Sequence, residues 1–209
     1  MSMKLIFWHG MADEDKIEYL KKFSVAIIGS RMLMELLWRG GVGCIRYIGD
    51  YVTPNDARLD ATIHPLEAND YDVFHPMSSD SCVISYPYPW DYRELKRQLK
   101  GIDVVVAHRH MEVAARVAEE LGVPFIPDII TTFLPDGISF FDVEYPRIKL
   151  DPISYALTCS IQAGEIMRIF TGYHLPAIAP TAYVVDTRIE NYLKRIQLRI
   201  KDERDEGED

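Results

Sequence analysis

KIEYLKKFSVAIIGSRMLMELLWRGGVGCIRYIGDYVTPNDAR, residues 16–58, reads as a β-α-β unit of the kind that holds nucleotides. An amphipathic helix runs up to Lys22, an apolar strand follows at 25–28, and Gly29 closes it. A second helix then leads into the turn Gly40-Gly41-Val42-Gly43 and a second strand that ends near Asp50. In a nucleotide site of this type the first strand-to-helix turn carries three glycines, which let the backbone approach a phosphate resting on the helix N-terminus. Here the G-x-G-x-x-G positions hold Gly29-Ser30-Arg31-Met32-Leu33-Met34. Only Gly29 survives, and the side chains of Arg31 and Met34 are expected to crowd that approach.

Beyond this unit, helix and strand signals alternate. Asp91 and Glu94 have the spacing of a capping box, and Gly101 stands where the helix from Tyr92 should stop. Residues 111–121 repeat apolar positions at Val113, Ala114, Val117, Ala118 and Leu121, then meet Gly122. Asp151-Pro152 supplies an N-cap followed by proline at the first helical position, for a helix that runs to about Thr171 ahead of Gly172. Further strands are expected at 45–48, 82–85, 104–107, 125–126, 138–143 and 182–185, with Pro135-Asp136-Gly137 as a turn. The alternation predicts an α/β, Rossmann-like, doubly wound and mostly parallel sheet, with helices on both faces and antiparallel additions near the C-terminus. Residues 1–185 are read as one domain, and 186–209 as a C-terminal helix and an acidic tail.

The order and spacing of several short patterns resemble the ThiF/MoeB/HesA superfamily, the ubiquitin-activating-enzyme-like adenylating proteins. Tyr19-Leu20-Lys21-Lys22 matches the end of the helix before the first strand, and Gly41-Val42-Gly43 matches the turn into the second. With one residue deleted, Asp50, Val52, Asn55 and Arg58 match the acidic-Val-Asn-Arg pattern. Asp103-Val104-Val105-Val106 resembles the fourth strand, and residues 160–172 the closing helix. In a doubly wound sheet ligands bind outside the carboxyl ends of the strands, which gathers Gly29, Ser30, Asp50, Asn55, Arg58, His108 and His110 onto one rim, and the resemblance implies a nucleotide site there. It also implies ATP or another adenine nucleotide as cofactor, a small carrier protein as partner, and a homodimer.

The departures from the family pattern fall on the charged groups of the chemistry. No lysine lies between Lys22 and Lys96, and no arginine precedes Arg31. Where the family has Thr-Asp-Asn after the fourth strand, the chain has Arg109-His110-Met111, so His110 stands in the place of the Mg²⁺ carboxylate. Cys44, Cys82 and Cys159 form no CxxC pair. Such charge stabilisers each supply several kcal/mol to a phosphoryl-type transition state. The reading is therefore a ThiF/MoeB-like protein, degenerate for adenylation, with a weak nucleotide site and a role as a binding or scaffold partner. The alternative is a divergent adenylyltransferase for a ubiquitin-like or sulfur-carrier protein, in which Arg31 or His110 replaces a lost group. A nicotinamide-dependent oxidoreductase is a third reading.

Composition bounds the rest. A chain of 209 residues, 48% hydrophobic, is long enough for a substantial core. Its formal net charge of −9 argues against binding nucleic acid, whose phosphates are held by clustered Lys and Arg. The tail at 201–209 contributes six acids against two bases and reads as a solvated end. No apolar run is long enough to span a bilayer, and three scattered cysteines suit a reducing cytoplasm.

Asp50 is a candidate ribose acceptor or a turn cap, and Arg58 a candidate phosphate partner or a surface cation. His108 and His110 lie two apart on an extended segment and read as a hydrogen-bonded rim pair rather than a metal site. Tyr86-Pro87-Tyr88-Pro89-Trp90 is either a stacking wall for a base or an apolar plug. Cys159, among apolar helical neighbours, reads as a packed thiol. Thr187 and Glu190 then start a helix whose Ile189, Leu193, Ile196 and Ile200 form an apolar stripe, expected to cover the domain or a second subunit.

Overall fold

The computed structural model describes residues 19–49, 82–88, 91–128, 130–135, 138–146, 148, 151–172 and 175–201. Asp50, Asn55, Arg58, Pro89, Trp90, Asp136, Gly137 and the tail at 202–209 lie outside them.

Five parallel strands form the central sheet: β1 (Ser24–Ile28), β2 (Cys44–Ile48), β3 (Cys82–Tyr86), β4 (Val104–Ala107) and β5 (Phe125–Pro127), in the order β3-β2-β1-β4-β5. Among the described residues, four helices connect and cover them: α1 (Arg31–Arg39), α2 (Tyr92–Leu99), α3 (Met111–Leu121) and α4 (Pro152–Thr171). Alternate strand residues serve opposite faces, as the pleat requires. Val25, Ile27, Val104 and Val106 pack with Leu33 and Leu37 of α1 and with Ile166 and Phe170 of α4. Ala26, Ile28, Val105 and Ala107 pack with Leu95 and Leu99 of α2 and with Ala114, Val117 and Ala118 of α3. Both faces are covered, so residues 25–28 of β1 and 104–107 of β4 are apolar and buried at every position rather than alternating. The doubly wound α/β architecture is as expected.

Helix ends follow the anticipated chemistry. Asp151 caps α4 by accepting from the backbone N–H groups of Ile153 at 2.9 Å and Ser154 at 3.0 Å, with Pro152 behind it. Gly122 and Gly172 end α3 and α4 in the left-handed conformation. No described helix is long and apolar enough to cross a membrane.

Two expectations are corrected. Residues 187–200 are not helical: β8 (Leu193–Gln197) pairs antiparallel with β7 (Thr181–Val185), and β9 (Arg199–Ile200) pairs with β6 (Val143–Glu144). The apolar residues satisfy two periods at once. Ile189, Leu193, Ile196 and Ile200 fit a helix, but Ile196, Leu198 and Ile200 also alternate as in a strand, and Leu198 is buried. Pairing decides between them, because β7 offers a ladder and Pro180 O accepts from Leu198 N–H at 2.7 Å. Thr187 does not cap a helix of its own; its hydroxyl donates to Asp151 Oδ2 at 3.0 Å. The strand expected at 138–143 is likewise mostly a 3-10 turn, Phe140–Asp142, started by Ser139 accepting from Phe141 N–H at 3.2 Å. Only Val143–Glu144 is extended.

Candidate functional site

The strand order reverses between β1 and β4, and in open α/β sheets ligands bind beyond the carboxyl ends of the strands at such a reversal. Gly29 and Ser30 leave β1 there, and His108, Arg109 and His110 leave β4. Gly29 N–H donates to Ile48 O at 3.0 Å, and His108 N–H donates to Ile28 O at 2.8 Å, so the two turns are tied to the sheet.

The β1 turn is closed from inside. Ser30 is 0% exposed and is the N-cap of α1, accepting from Leu33 N–H at 3.3 Å. The same hydroxyl shares a 2.7 Å hydrogen bond with Tyr155 of α4 and lies 3.5 Å from Cys159 Sγ. Burial raises the Tyr155 phenol above its ordinary range, so it stays protonated. Gly29 has φ +84°, the left-handed region that favours glycine. The stem of Arg109 lies against it: an added Cβ on Gly29 would sit 2.7 Å from Arg109 Cγ and 3.0 Å from its Cβ and Cδ. Of the two residues expected to crowd the approach, Met34 is instead buried in the core with Leu33 and Leu37.

The two histidines of the β4 turn have separate environments. His108 Nε2 is 2.8 Å from Gln162 Oε1, and Gln162 Nε2 donates to Pro127 O at 2.9 Å. That second bond orients the amide, so its oxygen accepts the Nε2–H proton and leaves the lone pair on Nδ1. Nδ1 is buried with no hydrogen-bond partner among the described residues. Burial pushes the His108 pKa down to about 4, against a smaller opposing effect of the Gln162 bond. His110 is exposed, adopts φ 53° at the N-cap of α3, and gives no side-chain cap. Its ring stacks on Tyr88 with centroids 3.9 Å apart. Tyr88 therefore packs on the rim against His110.

Of the sequence-derived site residues, Gly29, Ser30, His108 and His110 come together at the reversal point, whereas Asp50, Asn55 and Arg58 fall outside the described residues. Cys159 is a buried thiol, as expected, and its Sγ lies beside the Ser30 hydroxyl. Among the described residues no three His, Cys, Asp or Glu side chains gather as metal ligands. Sequence reasoning did not single out Tyr155, Gln162 or the stem of Arg109. Tyr155, Cys159 and Gln162 are spaced i, i+4, i+7 on α4, a stripe of polar-tipped groups that marks one helix face.

No protein-family model matches the sequence, and no curated protein does. Solved structures do match. A crystal structure of PaaA superposes with a TM-score of 0.64 at 16% identity, over 88% of this chain and 67% of that one. E. coli MccB with ATP gives 0.67 at 12% identity, over 96% and 73%. MccB with succinimide gives 0.66 at 12% identity, over 89% and 67%. The likeness is one of fold.

Proposed function

We propose that this chain is a ThiF/MoeB-like protein in which the nucleotide site is degenerate and which serves as a binding or scaffold partner. The observation that carries the reading is the inward commitment of Ser30. Its hydroxyl is fully buried and bonded to Leu33 N–H and Tyr155, at the position where a nucleotide site presents groups to phosphate. The missing glycines, the missing lysine and His110 in the carboxylate position support the same reading. Calorimetry is expected to give no Mg-ATP binding tighter than millimolar, and pyrophosphate exchange no turnover with added carrier protein. Micromolar Mg-ATP affinity overturns the reading.

The second reading is a divergent adenylating enzyme acting on a small carrier protein. It is favoured by the fold shared with E. coli MccB, which was crystallised with ATP and, in other crystals, with MccA. Pyrophosphate exchange decides between the two. In either case an adenine nucleotide or other anion would sit between Gly29-Ser30 and Arg58, beside Asp50, with Asn55 and His110 on the same rim.

The chain is further proposed to form a homodimer in a reducing cytoplasm. Ile153, at 66% exposure, lies next to Ser154, whose hydroxyl is 3.0 Å from that of Thr187. Ile189, Tyr192 and Leu193 are exposed on the hairpin that follows. Exposed apolar groups clustered this way mark association surfaces. Light scattering at low micromolar concentration should give a dimer, and Ile153→Glu with Leu193→Glu should give a monomer that melts as the parent does. A wild-type monomer at that concentration removes the proposal.

A further inference from the structure

The stem of Arg109 packs against the surviving glycine of the β1 turn. Gly29 keeps its left-handed φ and offers no side chain, yet the space beyond its Cα is filled by Arg109 Cβ, Cγ and Cδ at 2.7 to 3.0 Å from a Cβ position. The residue as a whole remains exposed, so the packed part is the aliphatic stem. Below it, Ser30 begins α1, a nine-residue helix with Arg31 and Met32 in its first turn. Backbone N–H groups of a first turn have no acceptor inside the helix. Their dipoles favour an anion wherever one can reach them.

We propose that Arg109 is the residue that sets the selectivity of this crevice: its stem takes the place of a phosphate against Gly29 and closes the β1 turn to nucleotides. The inference rests on the degenerate-site reading and names the group that enforces it. It has a counterintuitive sign. Removing a cation from an anion site normally weakens binding, so an arginine acting as a phosphate ligand predicts a loss in Arg109→Ala. A stem acting as a plug predicts a gain despite the lost charge.

The test titrates inorganic pyrophosphate and Mg-ATP into the full-length protein and into Arg109→Ala, Arg109→Lys and Arg195→Ala at one ionic strength. Arg109→Ala should bind at least tenfold more tightly than the parent. Arg109→Lys, which keeps a stem of similar length, should stay closed, and Arg195→Ala on β8 reports the loss of a remote charge. Thermal melting checks that Arg109→Ala folds; should it not, Arg109→Ser opens the same space while keeping a polar group. Unchanged or weaker binding by the opened variant overturns this inference and leaves the degenerate-site reading standing. Micromolar Mg-ATP binding by the parent overturns that reading and, with it, the closure of the turn by the stem.

Discussion

Gly43→Ala should cost about 4 kcal/mol or more of folding stability, a loss that for a domain of this size approaches failure to fold. An alanine Cβ at this position would lie 1.7 Å from the Lys21 carbonyl oxygen and 2.4 Å from its carbon. Both obstacles are backbone, so no rotamer change relieves the overlap. The segment that would have to move is held by its own bonds: Gly43 N–H donates to Leu20 O at 3.1 Å, and Cys44 N–H to Phe23 O at 3.1 Å. Leu20, in that segment, is part of the core under α1. Gly164→Ala on α4 is the matching control. Nothing lies within 4 Å of its added Cβ, and a mid-helix glycine replaced by alanine typically gains about 0.5–1 kcal/mol. Urea unfolding of the two variants should therefore shift the midpoint in opposite directions. A Gly43→Ala protein within 1 kcal/mol or so of the parent would mean that the turn before β1 does not approach this glycine as described.

That glycine shows what the primary structure conveys and where it stops. Gly41-Val42-Gly43 was matched as a pattern, and the approach of Lys21 supplies its physical cause at Gly43. The sheet was readable because its strands are buried on both faces and separated by capped helices, so local signals and tertiary placement agree. Residues 187–200 are ambiguous in sequence because their apolar positions fit both a helical and a strand period, and only the ladder of β7 chooses between them. The rim was half readable. Topology alone brings Gly29, Ser30, His108 and His110 to one edge, since each directly follows β1 or β4. What covers that edge depends on long-range contacts, Tyr155 and Cys159 on Ser30 and Gln162 on His108, at separations of 125, 129 and 54 residues. No local pattern encodes those pairings, nor the folding of the Arg109 stem back onto Gly29.

His108 should make the fold acid-sensitive in a window set by its own titration. Burial holds its pKa at about 4, below the ordinary value of 6.5, so between the two the unfolded chain binds a proton that the folded chain refuses. Stability is therefore fully present above about pH 6.5, falls as pH drops from there toward 4, and loses nothing more to this residue below that. At roughly 1.4 kcal/mol for each pH unit between the two values, the loss is about 3.5 kcal/mol. The carboxylates of Asp151 and Asp186 act in a different range. Hydrogen bonds from Ser154 and from Arg188 hold their pKa values below the usual carboxylate range, so their contribution is lost only in stronger acid. His108→Gln separates the effects, because its amide N–H can still donate toward Gln162 but has no proton to gain. Urea unfolding at pH 7, 6, 5 and 4.5 should show the parent weakening steadily and the variant nearly flat. Parallel slopes for the two proteins would mean that His108 titrates as an ordinary exposed imidazole, and that Gln162 and the covering of its ring do not hold it neutral.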